Sequence, residues 1–212
     1  MQKSNYIRGK SNKMKGHTLK VYCLIEVKDK GKVIYSKQFE SHSFVAQWLD
    51  LLYGMFGQNS LSILGNASPA ENISINPLQM NAGSGNQSFG IQVGSGTTKS
   101  INDTALDSLI PNGNSAGQLA YGAMSFTSPA INTSTNQGNF SISRSFTNNS
   151  GSSVTVSEVG VVVRTYAKNN NFYYIFIIHD ILSSPITLAN GQVLTVTYIF
   201  TIQAWGGENG FI

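Results

Sequence analysis

From Asn139 to Ile202 apolar residues alternate with Ser, Thr and Asn. Leu194, Val196, Tyr198, Phe200 and Ile202 share one side of an extended chain and Thr195, Thr197 and Thr201 the other, the period-two signature of a half-buried strand. Earlier, Leu19 to Val27 and Val33 to Phe39 read as two strands around Lys28-Asp29-Lys30-Gly31-Lys32, where Asp and Gly accept the positive φ of a hairpin turn. Ser88 to Gly94, Leu119 to Thr127 and Asn139 to Phe146 read as further strands. In Val154 to Val163 the phase slips: Val154 and Val156 share one parity, Val159, Val161 and Val163 the other. A bulge or a crossing between sheets near Ser157-Glu158-Val159-Gly160 restores a common buried side, with Gly160 at the kink. Phe172 to Ile178 is apolar on both faces and is expected to lie centrally in a sheet. Asn190-Gly191 is a tight-turn signal before the last strand.

Two segments change period. Phe44, Trp48, Leu52 and Met55 recur at helical spacing after Ser43, a good N-cap, which predicts a helix over about 44–56. A short second helix is expected over about 103–109, capped by Asn102 or Asp103. Residues 58–87 are rich in Asn, Ser, Gly and Pro and predict a long irregular excursion or short edge strands. The fold class expected is therefore mainly β: an antiparallel β-sandwich or jelly-roll-like barrel with one packed helix and a short second one. One β-rich domain, residues 19–212, follows an arm at 1–18.

Composition sharpens this picture. Charged residues are only 11% of the 212, well below the roughly 25% of ordinary soluble domains, so the surface is neutral and hydroxyl-rich. The net charge of +4 is concentrated at the start, where Lys3, Arg8, Lys10, Lys13, Lys15 and Lys20 occur without an acid. These six are candidate assembly contacts, and nucleic acid is a conceivable partner only through this arm. Cys23 stands alone inside an apolar run, which fits a buried small hydrophobe made in a reducing cytoplasm. The first residues carry charge without a following apolar stretch or small-residue cleavage site, so no secretory signal is expected there, and the longest apolar run, Phe172 to Ile178, is far short of the roughly 20 residues a membrane helix needs.

Candidate chemistry is sparse. Gly94-Ser95-Gly96-Thr97-Thr98-Lys99-Ser100 follows a strand, the setting of a phosphate-cradling loop, but Thr98 stands where Gly must precede the Lys, and the dinucleotide pattern lacks its third Gly. His179-Asp180 would be the natural base and its orienter, yet neighbours on a strand point to opposite faces. His17, His42 and His179 have no metal-ligand spacing, and the few carboxylates form no acid–base pair. The expectation is no enzyme, no catalytic residue, no cofactor and no metal. Five glycosylation-type triplets beginning at Asn66, Asn72, Asn102, Asn132 and Asn139 are chance matches in a chain so rich in Asn and Ser.

Residues 89–202 resemble virion structural proteins of tailed bacteriophages. The resemblance is carried by Val93-Gly94-Ser95-Gly96-Thr97-Thr98, Asp103-Thr104-Ala105-Leu106, Phe146-Thr147-Asn148-Asn149-Ser150-Gly151, Glu158-Val159-Gly160, Ile177 to Asp180, and Asn190-Gly191 to Ile202. Such proteins usually have Arg before the Asp of the aliphatic strand, and His179 stands there. The hairpin and helix over Leu19 to Phe56 are more loosely similar. The resemblance implies a structural subunit of the tail, collar or capsid, made in the host cytoplasm and located in the virion. Its implied partners are other virion proteins and further copies of itself, with no membrane. The alternative is a host-surface or carbohydrate-binding module using aromatics such as Trp48, Tyr121 and Trp205.

Overall fold

The computed structural model describes residues 18–41, 61–65, 68–73, 78–128, 130–132, 134, 137–166 and 171–203. Eleven strands are found there, all paired antiparallel. They are β1 (Thr18–Asp29), β2 (Lys32–Ser41), β3 (Leu61–Gly65), β4 (Ser68–Ile73), β5 (Gly90–Gly94), β6 (Ala120–Phe126), β7 (Ala130–Asn132), β8 (Gln137–Thr147), β9 (Val154–Tyr166), β10 (Phe172–Leu188) and β11 (Val193–Gln203). The larger sheet runs β2-β1-β11-β8-β6, with β7 on the end of β8; the smaller runs β10-β9-β5; β3 and β4 form a separate hairpin.

The main core lies between the two larger sheets, where Val21, Cys23, Ile25, Ile142, Val196 and Tyr198 of one meet the inward valines and isoleucines of β9 and β10. Their parity is what the alternation predicts, because one face of each sheet must leave water and the other need not. A second, smaller core covers the outer face of β9 and β10. There Val162 and Phe176 pack with Ala82, Phe89 and Leu106 from the chain that wraps over that face. This explains why β9 and β10 are apolar on both sides. β10 pairs only with β9 among the described residues, so the expected central place in the sheet belongs to β9.

The phase slip in β9 is real and falls at Ser157, the first residue of the expected Ser157–Gly160 window: Ile181 pairs with Glu158 and Ile186 with Val156, leaving out Ser157 and residues 182–185. A second irregularity lies beside Gly160, where Phe176 pairs with Val162 and Ile178 with Val161, leaving out Ile177. Gly160 also serves packing: a Cβ there would lie 2.5 Å from a ring carbon of Phe176. The first hairpin turns on Lys30 (φ 46) and Gly31 (φ 79) rather than on Asp29. Asn190-Gly191 does turn, but it leads β10 of one sheet into β11 of the other instead of joining paired strands.

The helix expected over 103–109 is absent, and those residues form separate bends that end in a bridge between Leu109 and Gly94. Asp103 accepts from the upstream Ser100 amide rather than from an amide of the following turn, and Glu158 takes the amides of Asp107 and Ser108 that a helix would have turned elsewhere. The expected helix over 44–56 lies outside the described residues, as do Lys3, Arg8, Lys10, Lys13 and Lys15. Lys20 belongs to β1, opposite Thr201 of β11.

Candidate functional site: a buried carboxylate and imidazole knot

The densest polar cluster is built on the outer face of β9 and β10. Glu158 is 0% exposed and His179 only 1%, in a position where unpaired ionisable groups are strongly disfavoured. His179 Nε2 lies 2.8 Å from Glu158 Oε2, and its Nδ1 lies 2.6 Å from Asp103 Oδ2. Two carboxylates facing the two ring nitrogens are satisfied together only by the doubly protonated ring. Burial pushes the His179 pKa down, but the Glu158 and Asp103 carboxylates outweigh it and hold it above the ordinary value. Burial likewise pushes Glu158 up, and the bond from His179 with those from the Ser108, Asp107 and Gly96 amides brings it below the ordinary range.

Those amides define the site. Glu158 Oε1 accepts from the N–H of Gly96 at 3.0 Å and of Ser108 at 2.7 Å, and Oε2 from that of Asp107 at 2.9 Å. The glycine-rich loop that looks like a phosphate cradle therefore does wrap an anion, but the anion is the protein's own Glu158. The glycines are needed for that approach. A Cβ on Gly94 would sit 2.3 Å from Glu158 Oε1, and one on Gly96 would sit 2.6 Å from it and 2.4 Å from Asp107 Cβ. Asp107 in turn accepts from the Thr97 amide, and the Thr98 side chain and these loop amides hold its pKa below the usual value.

His179 and Asp180 do face opposite ways. Asp180 points into the main core, where its Oδ2 accepts from Ser41 Oγ of β2 at 2.8 Å and from Tyr198 Oη of β11 at 3.1 Å. It thus ties the smaller sheet to the larger. Burial, with the nearby Asp180 charge, pushes the Cys23 thiol well up, and Cys23 is free and fully buried. At the opposite side of the core Arg144 makes the corresponding tie. Its guanidinium is 1% exposed and donates to the carbonyls of Gly122, Phe89, Ile91, Gly83 and Asn86, with its centre 4.8 Å from the Tyr121 ring. Burial lowers its pKa to about 10. All five N–H donors of the fork are placed on backbone, so the charge is solvated by peptide dipoles rather than by a carboxylate.

A fourth tie closes the far end of the sheets. Asn148 Nδ2 donates to the carbonyls of Ser152 and Leu188, the Gly151 amide donates to Asn190 Oδ1, and the Gly191 amide donates to the Asn148 carbonyl. The glycine-, asparagine- and carboxylate-bearing motifs singled out in the sequence thus gather at two places. Val93 to Thr98, Asp103 to Leu106, Glu158 to Gly160 and Ile177 to Asp180 meet around Glu158, and Asn148 to Gly151 meets Asn190-Gly191.

Sequence reasoning missed Glu158 and Arg144. Both carried a signal: Glu158 interrupts an apolar stretch, and Arg144 shares the inward parity of Ile142 and Phe146. Of the aromatics considered for sugar stacking, Tyr121 is 2% exposed and donates its hydroxyl to the Ile110 carbonyl; Trp48 and Trp205 fall outside the described residues. Among the described residues no group of three His, Cys, Asp or Glu side chains is arranged to hold a metal ion. No helix there is long and apolar enough to cross a membrane. Comparison with known proteins returns no match to a family model, to a curated protein or to a solved structure.

Proposed function

We propose that this chain is a non-enzymatic structural subunit of a tailed-bacteriophage particle, located in the tail, collar or capsid, and that its two facing sheets form a β-sandwich scaffold. One observation carries the reading. In the densest ionisable cluster both nitrogens of His179 and both oxygens of Glu158 are already bonded within the chain. Neither group keeps a lone pair or proton poised toward a cleft, as a general base must. The cluster instead fixes a loop to a sheet, which suits a part whose surfaces do the work. Gathering of the glycine-, asparagine- and carboxylate-bearing motifs in the polar ties supports the same view, since those motifs then specify rigidity. The carbohydrate-binding alternative loses Tyr121, whose ring is in the core.

In this reading assembly is the activity, with other virion proteins and further copies as partners and the five basic residues of the arm, together with Lys20 at the start of β1, as contacts. Mass spectrometry of purified particles is the first test: the chain is expected as a stoichiometric component, and its absence from intact particles sinks the proposal. Deleting residues 1–16 is expected to leave a folded protein that no longer enters particles. Normal incorporation of that variant removes the arm from the mechanism.

A further inference from the structure

Residues 182–185 of β10 are looped out of the ladder against Ser157 alone, since Ile181 pairs with Glu158 and Ile186 with Val156. A bulge of this kind re-aims side chains and recurs beside binding sites. Here it faces β2 of the larger sheet, and between the two lies a cavity of about 220 Å³. Its walls are Ile25 of β1, Tyr35 and Phe39 of β2, and Leu182 and Ile186 of β10. Ile25, Leu182 and Ile186 are buried, and Tyr35 and Phe39 are half-buried. Lys37, Ser183 and Ser184 also line it and are exposed. The apolar groups therefore form the depth of the cavity and the polar ones its mouth.

Each part makes its own demand on an occupant. Aliphatic and aromatic walls give water too few partners and take an apolar body instead; a cavity of roughly 150 Å³ walled in this way holds benzene. The larger volume here admits a somewhat longer body, on the order of eight carbons by the same measure. At the mouth, Lys37 Nζ donates to Ser183 Oγ, which ties β2 to the bulge and fixes the ammonium beside the opening. An ammonium has further donors beyond that one, and each serine hydroxyl can donate as well as accept. No carboxylate is among the lining residues, so the mouth carries a positive charge with no counter-charge in the site. We propose that this cavity binds a medium-chain monocarboxylate, with its hydrocarbon between the sheets and its carboxylate on Lys37 Nζ and the Ser183 and Ser184 hydroxyls. An alcohol of the same length fills the same walls but loses the charge-assisted bond, which is roughly twice as strong as a neutral one. The site goes beyond the assembly reading and does not rest on it: a chain that binds no carboxylate can still be a particle component, and a chain absent from particles can still bind one.

The test is calorimetric titration of the full chain with octanoate and, in parallel, octanol. Octanoate is expected to bind saturably, and octanol about tenfold more weakly, the factor that loss of one charged hydrogen bond gives. Lys37→Met, a change at an exposed position, is expected to bring octanoate down to the level of octanol and leave octanol unchanged, while Lys37→Arg keeps the preference. Methyl NMR locates the ligand: octanoate is expected to shift Ile25, Leu182 and Ile186 and to leave Leu106 of the second core in place. Leu182→Phe, which fills the cavity, is expected to weaken both ligands, and where that variant does not fold the methyl shifts of the native chain still decide. Absence of saturable octanoate binding overturns the proposal. So does equal binding of acid and alcohol, or a Lys37→Met chain that binds octanoate as the native one does, because the ammonium is then not the recognising group. Shifts confined to other methyls overturn it as well, since the ligand then sits elsewhere.

Discussion

Glu158→Gln isolates the central tie with almost no change in shape. The amide oxygen can still accept from Gly96 and Ser108, as Oε1 does now. The amide nitrogen, however, replaces Oε2 between two donors, the Asp107 N–H and His179 Nε2. One buried N–H is then orphaned, at about 1–3 kcal/mol, and one charge-assisted bond is lost, at about 1.5–3 kcal/mol. His179 can recover part of this by shedding its Nε2 proton and accepting from the amide. A net loss of about 3 kcal/mol is expected, a large share of the roughly 5–15 kcal/mol that holds a domain. At about 2–4 °C per kcal/mol for a chain of this size, the melting temperature should fall by about 10 °C. The pH profile adds a second reading. The His179 pKa is raised above 6.5, so its contribution is full below 6.5 and is lost as pH rises through the folded value. The Glu158 pKa is lowered below 4.5, so its contribution is full above 4.5 and is lost as pH falls through the folded value. Wild type should therefore gain most from the pair between these limits and weaken on the alkaline side, and Glu158→Gln should flatten both limbs. Circular-dichroism melts from acid to alkaline pH measure this. A variant melting within about 2 °C of wild type, with an unchanged profile, would refute the reasoning, since that shift is under about 1 kcal/mol.

Arg144→Met should cost more than about 3 kcal/mol, because carbonyls placed around a cation lose their donors at about 1–3 kcal/mol each, and limited proteolysis should cut first within residues 83–91; a variant as resistant as wild type contradicts the tie. Gly94→Ala should destabilise by about 2 kcal/mol or more in urea unfolding, because the new methyl meets Glu158 Oε1 and the Ser108 carbonyl. Gly31→Ala, in open space at φ +79, should cost only about 1 kcal/mol; equal losses would show that packing at Gly94 is not the cause. Cys23 should react with a thiol reagent only on unfolding, being fully buried with its pKa well raised; stoichiometric labelling of the native protein would show that the core opens.

By itself the sequence determined most strands of the two larger sheets and the buried faces of β8 and β11. Alternation in β11 and β8 and the turns at Gly31 and Gly191 are local facts, set by the pleat and by steric limits on φ, and they needed no partner to be legible. Tertiary structure alone decided where polar residues in apolar company would go. Nothing near Glu158 in the chain announces that Gly96, Asp107, Ser108 and His179 will surround it, since those contacts span 21 to 62 positions. The same is true of the helix expected over 103–109. Its expected cap does not form, since Asp103 accepts from the upstream Ser100 amide, and a buried carboxylate in need of donors outcompeted the local bonds of a single helical turn, because desolvating an unpaired charge costs far more than helix propensity returns.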